Sequence, residues 1–150
     1  MIIIGISAFY HDSAAAIIRN GEIIAAAQQE RFSRKKHDAG FPSDAVMYCL
    51  DEAGVRLEQL DYVGFYDKPL LTFNRLLETY LAFAPSGIAS FIKAIPIWVK
   101  EKIMQKSLIK SGLDVLQRGV IDEKKILFGF HHHSHAASAF YPSPFKEAAV

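Results

Sequence analysis

Four of the six histidines fall between positions 131 and 135, in His131-His132-His133-Ser134-His135. Positions four apart on a helix differ by only about 40° in azimuth, so His131 and His135 project from one face. With this spacing one helix can offer two imidazoles to one metal ion. Two imidazoles make an incomplete site, because a catalytic metal usually takes three or more protein ligands, and no third ligand is evident in the sequence. His132 and His133 point elsewhere on the helix. The plainer alternative is the solvated polar N-terminus of a helix.

Two other stretches carry chemistry. His11 and Asp12 stand side by side in a loop, where a carboxylate could orient an imidazole for general-base work, although adjacent residues rarely form that pair themselves. Glu30-Arg31-Phe32-Ser33-Arg34-Lys35-Lys36-His37 holds four cations and one carboxylate, a local charge of +3 in a chain of net charge +1. Such a segment at the end of a strand can bind an anionic group through charge-assisted hydrogen bonds. It is equally a solvated loop whose ion pairs contribute little.

The elements that must position these residues follow from pattern. Ile2 to Ser7 is a short β-branched run and predicts a buried strand. Ala14 to Arg19 and Glu22 to Gln28 flank Asn20-Gly21, the strongest short hairpin signal, because both turn residues must tolerate positive φ. Arg31 to Gly40 is read as a loop. A helix is expected from Ser43 or Asp44, either of which can cap it, to about Ala53. Val46, Cys49, Leu50 and Ala53 share its apolar face and Gly54 stops it. Leu60 to Tyr66 predicts a fourth strand.

From Pro69 to about Gly119 the pattern is helical and carries no motif. One helix is broken at Pro85-Ser86-Gly87, a second runs through Ile92 to Ile103 with Pro96 as a kink, and a third spans Leu108 to Leu116. Strand character returns at Lys125 to Phe130, and a small-residue helix from His131 to Tyr141 stops at Pro142. Ala148 begins a further apolar run. The order is βββαβα with a helical insertion at about 69–119, an α/β fold class.

The 150 residues are 51% hydrophobic and 12% aromatic, enough for about one domain and too apolar for disorder. Cys49 has no partner, so a disulfide framework is excluded and a reducing compartment, the cytoplasm, is expected. Near-neutral charge gives no reason for nucleic acid or an anionic membrane as partner. Within the most apolar stretch, Leu70 to Val99, the longest charge-free run, 79–92, has 14 residues and contains a proline, short of the roughly 18–20 apolar residues a spanning helix needs.

Taken together, Ile4-Gly5-Ile6-Ser7 with Phe9-Tyr10-His11-Asp12-Ser13-Ala14-Ala15-Ala16, the basic segment 30–37 and the segment from His131 to Tyr141 resemble the N-terminal part of the O-carbamoyltransferases of antibiotics and nodulation factors. The resemblance spans nearly the whole chain outside the helical insertion. It implies kinship with the tRNA threonylcarbamoyl transferases and, through them, with the RNase H-like, actin-like ATPase fold, of which this chain holds one half. It implies a reaction in which ATP and carbamoyl phosphate give carbamoyl adenylate, whose carbamoyl group passes to a hydroxyl of a small-molecule acceptor. It also places a divalent metal, iron or a zinc-like ion, on His131 and His135, the proton acceptor on His11, and acceptor contact on Lys36, with Asp12 and Arg34 as further substrate-binding residues.

The family continues past Ala148 into an aspartate- and glycine-rich turn that supplies a further metal ligand. The chain is therefore expected to be a fragment, inactive alone, whose partner is the missing C-terminal part. Two alternatives stay open: a tRNA threonylcarbamoyl transferase-like protein, and a non-catalytic ATPase-fold binding module.

Overall fold

The structure is a computed structural model that describes residues 1–84, 86, 92, 104–117 and 121–149. Strands β1 (Ile2–Ser7), β2 (Ala14–Arg19), β3 (Glu22–Gln28), β4 (Tyr62–Phe65) and β5 (Ile126–Phe128) form one sheet in the order β3-β2-β1-β4-β5. The first three strands are antiparallel neighbours, whereas β4 runs parallel to β1 and β5 parallel to β4. Consequently β1, β3, β4 and β5 all end at one edge of the sheet. Asn20 (φ 52°) and Gly21 (φ 92°) make the two-residue turn that sets Arg19 opposite Glu22, as the hairpin signal predicts.

Alternation decides which face is covered. Ile4, Ile6, Ile17, Val63 and Phe65 point to one face and are buried there with Val46, Cys49 and Leu50 of helix α2 (Ser43–Ala53). Helix α1 (Glu30–Ser33) lies between β3 and α2 in the chain, and helix α3 (Pro69–Ala82) follows β4. Ile109 and Leu113 of helix α4 (Gln105–Leu116) enter the same core, each fully buried. Every such aliphatic side chain removed from water contributes about 1.5–3 kcal/mol before the entropy of ordering is subtracted. The opposite face carries small residues, among them Gly5, Ala16, Ala26 and Gly64. Helix α5 (His131–Phe140) borders it across an apolar groove of about 830 Å³.

Three expectations change. Neither Ser43 nor Asp44 caps α2: Pro42 occupies the cap position, and the acceptor is the side chain of buried Gln29, whose Oε1 takes the N–H groups of Asp44 and Ala45, each at 3.1 Å. A distant side chain thus satisfies the orphan donors that a local cap usually takes. The basic segment is not all loop, since Glu30–Ser33 forms one helical turn closed by Arg34 in the left-handed region, φ 58°. The first helix of the insertion ends at Ala82, three residues before the proline expected to break it. Apart from Ile92, the predicted helix 92–103 with its kink at Pro96 lies outside the described residues. Among the described residues no helix is long and apolar enough to cross a membrane.

Candidate functional site

Three of the four segments that leave the common edge of the sheet carry the candidate site residues. After β1 come His11 and Asp12, after β3 come Arg34 and Lys36, and after β5 come His131 and His135. In open sheets with parallel strands this carboxyl edge is where ligands bind, because the chain ends and loops there are free of sheet hydrogen bonds.

Asp12 is the centre of the first cluster. Its Oδ2 lies 2.9 Å from His11 Nδ1, so the adjacent pair does form, contrary to expectation. The reason is backbone conformation: Asp12 sits at φ 48°, in the left-handed region that an aspartate tolerates better than most residues, and this turns its carboxylate back toward the preceding ring. Its other oxygen, Oδ1, lies 2.9 Å from Nδ1 of His37. The His37 hydrogen bond, more than that of His11, holds the Asp12 carboxyl below the usual aspartate range. A carboxylate offers only acceptors, so both Nδ1 atoms carry the hydrogen and both Nε2 atoms remain available as bases in the neutral rings. The ring of Tyr10 lies against that of His11, with centroids 4.6 Å apart and planes tilted by 49°.

In the basic segment, Arg31 lies 3.7 Å from Glu30 and Lys35 lies 3.8 Å from Asp38. Asp38 is held below its usual range, first by the Gly40 N–H and then by the Ser33 hydroxyl. Arg34 and Lys36 are exposed and have no ion-pair partner among the described residues. They are thus the two cations of the segment left to meet an anion or a polar ligand.

On α5, the Nε2 atoms of His131 and His135 approach to 3.1 Å, with the rings edge to face at 4.6 Å. Two imidazole nitrogens about 2.1 Å from a common ion and about 95° apart at it have this separation, so the pair fits two adjacent positions of one metal. Without an ion, the same distance is an N–H···N hydrogen bond. Among the described residues no group of three His, Cys, Asp or Glu side chains is placed to hold a metal. The helix is fixed to the sheet by Ser134, whose Oγ donates to the Tyr66 carbonyl at 2.9 Å, and by the Gly129 N–H bonded to the Phe65 carbonyl at 2.8 Å.

Two residues gain roles that pattern alone did not give them. Tyr66, the first residue after β4, lies between the clusters, with its ring 5.6 Å from that of His131. Burial, then the Asp67 carboxylate and the Tyr10 phenol nearby, pushes its hydroxyl above the usual tyrosine range. Its only sequence signal is its place at the end of a strand later found to be parallel. His37 was read as the last residue of a basic motif, and nothing in spacing alone pairs it with a residue 25 positions earlier.

A sequence model described as carbamoyltransferase N-terminus matches residues 2–150. The chain is 58% identical over 149 residues to an uncharacterized protein of Synechocystis sp., a match covering 99% of this chain and 24% of that protein. It is 34% identical over 143 residues to the nodulation protein NolNO of Sinorhizobium fredii, covering 95% of this chain and 19% of that protein. It also matches an uncharacterized 19.2 kDa protein of Rhizobium etli, 40% identical over 60 residues, covering 40% of this chain and 35% of that one. The chain thus spans roughly a quarter and a fifth of the length of the first two of these relatives. With three motif-bearing segments converging on one sheet edge and the family match running from Ile2 to its last residue, the chain belongs to the carbamoyltransferase N-terminal family.

Proposed function

We propose that this chain is the acceptor-activating N-terminal part of an O-carbamoyltransferase. The observation that supports this most is the meeting, at one sheet edge, of an Asp12-oriented imidazole, two cations without an ion-pair partner among the described residues, and a pair of imidazoles converging on a point. In the proposed step a hydroxyl of a small-molecule acceptor attacks the carbonyl carbon of carbamoyl adenylate, which ATP and carbamoyl phosphate supply. An alcohol is a poor nucleophile at neutral pH, so the base matters. His11 Nε2 takes the hydroxyl proton as the new C–O bond forms, and the bond from that carbon to the phosphate oxygen breaks, releasing AMP. Asp12, bonded at Nδ1, keeps Nε2 in the accepting form and favours the imidazolium that results. Lys36 holds the acceptor, and Arg34 meets the anionic part of the substrates.

His131 and His135 are the ligands this chain offers to a divalent ion, iron or zinc-like, with the remaining ligands supplied from outside the described residues. Such an ion, when bound, supplies Lewis-acid polarisation and positive charge where the carbonyl oxygen gains negative charge. The strand order, three antiparallel strands followed by two parallel ones, supports one half of an actin-like, RNase H-like ATPase fold, and the cytoplasm is its proposed compartment. The test is transfer of labelled carbamoyl from carbamoyl phosphate, with ATP, to a panel of sugar hydroxyls. The full-length protein is expected to be active, His11→Ala to lose at least about a hundredfold, and the isolated chain to be inactive. Undiminished transfer by His11→Ala, or turnover by the isolated chain, would refute the proposal.

A further inference from the structure

His11 and Asp12 are exposed, with side-chain accessibilities of 61% and 35%, and a single hydrogen bond between such neighbours holds a ring weakly. Asp12, however, is bound from two sides. His37 donates from Nδ1 to the carboxylate oxygen that His11 leaves free, and both contacts are 2.9 Å. The backbone delivers His37 to this place. Ser13 N–H bonds to the Asp38 carbonyl and Phe9 N–H to the Ala39 carbonyl, each at 2.8 Å, so the loop after β1, on either side of Asp12, is stitched to the two residues that follow His37. Phe9, Asp12, Arg34 and His37 all hold φ between 48° and 69°. Non-glycine residues stay in this left-handed region only where their surroundings hold them there, and four in two facing loops mark a constrained assembly. The two histidines do not form a metal site, because both turn their Nδ1 atoms to the same carboxylate and no third ligand joins them among the described residues.

We infer that His37 is a positioning residue for His11: through the shared Asp12 carboxylate it fixes the Nδ1–H tautomer of His11 and fastens the loop bearing Lys36 to the loop bearing the base. The consequence for catalysis rests on the role proposed above for His11, but the clamp itself does not. His37 touches neither the reacting atoms nor the acceptor in this assignment. It acts on the ring through Asp12, as the orienting member of a hydrogen-bonded triad acts through its neighbour.

The test uses the full-length protein with ¹⁵N-labelled imidazoles, comparing wild type, His37→Phe and His37→Asn by long-range ¹H–¹⁵N correlation at pH 8. Asparagine places an amide N–H close to the position of the imidazole Nδ1–H, whereas phenylalanine keeps a ring and loses the donor. The wild type is expected to show His11 in the Nδ1–H form, His37→Phe a mixture with a substantial Nε2–H fraction, and His37→Asn a return to the Nδ1–H form. In the transfer assay His37→Phe is expected to lower kcat about tenfold with KM for carbamoyl phosphate unchanged, and His37→Asn to recover most of the loss. An unchanged His11 tautomer in His37→Phe, or His37→Asn behaving no better than phenylalanine, overturns the inference. Because the spectra need no turnover, they decide the clamp even if His11 proves not to be the base.

Discussion

Replacing Gln29 by Ala tests the link between the core and the candidate site. Gln29 is 6% exposed at the end of β3, and its side chain makes three hydrogen bonds: Oε1 accepts from Asp44 and Ala45, and Nε2 donates to Asp44 Oδ2 at 2.7 Å. Alanine removes all three. The two backbone bonds are worth about 1 kcal/mol each, and the Ala45 N–H is left without a partner at a fully buried residue, which puts its cost toward the upper end of about 1–3 kcal/mol. Exposed Asp44 regains water, so its share is small. The sum is about 2–3 kcal/mol, somewhat more than a typical lost helix cap. For a domain of this size it lowers the melting temperature by about 5–10 °C, read by circular dichroism. Gln29→Glu is the control: it keeps an acceptor for the Asp44 and Ala45 N–H groups and loses only the donor to exposed Asp44, so it is expected to lose less stability than Gln29→Ala. A melting temperature for Gln29→Ala within about 2 °C of wild type would refute the capping argument.

Three further outcomes follow. Replacing His131 and His135 together by Ala in the full-length protein is expected to reduce metal affinity by more than the 10–100-fold typical of a lost outer-shell partner, measured by metal analysis after dialysis. Unchanged metal content would sever the pair from any metal role. Cys49 is fully buried, donates to the Ala15 carbonyl at 3.4 Å, and has its thiol pushed up by burial. It is expected to resist a thiol reagent in the native protein and to react at once in denaturant, and fast native labelling would contradict the core assignment. The Asp12 carboxyl is expected to titrate below about 3.9 by carbon NMR, with the His37→Phe substitution moving its midpoint upward. Since its folded pKa is lowered, what Asp12 contributes to loop order is intact above 3.9 and disappears as the pH falls through the folded value. A midpoint at or above 3.9 in the wild type contradicts the double hydrogen bond.

The sequence made the first three strands, the face of α2 and the helix at His131 legible because each depends on local rules: period-two alternation, an Asn-Gly turn and helical spacing. Cys49 fell on the apolar face of α2 and is buried there as expected. What stayed hidden depends on contacts between distant residues. The cap of α2 comes from Gln29, the partner of Asp12 is His37, and Tyr66 matters only because β4 lies beside β1 and β5. The pairing of His11 with Asp12 was hidden for a different reason. It needs a positive φ at Asp12, and the backbone bonds from Phe9 and Ser13 to the loop after β3 frame that conformation.

The strand directions also constrain how a substrate lies. Because β2 is antiparallel and short, β1 and β3 end on the same edge with one strand between them, and the cross-loop bonds bring His11 and the segment of Lys36 together on that side. The imidazole pair follows β5, two strands from β1 on the other side, with Tyr66 at the end of the strand between. A group held by the imidazole pair and a hydroxyl held beside His11 must therefore meet across the end of β4. Tyr66, whose ring lies beside that of His131, brings a phenol hydroxyl, a donor at neutral pH, to that strand end. In the proposed reaction the acceptor then enters from the β1–β3 side and the carbamoyl carbonyl from the β5 side. Tyr66→Phe, which keeps the ring against His131 and removes only the hydroxyl, separates that donor from the packing that holds α5 in place.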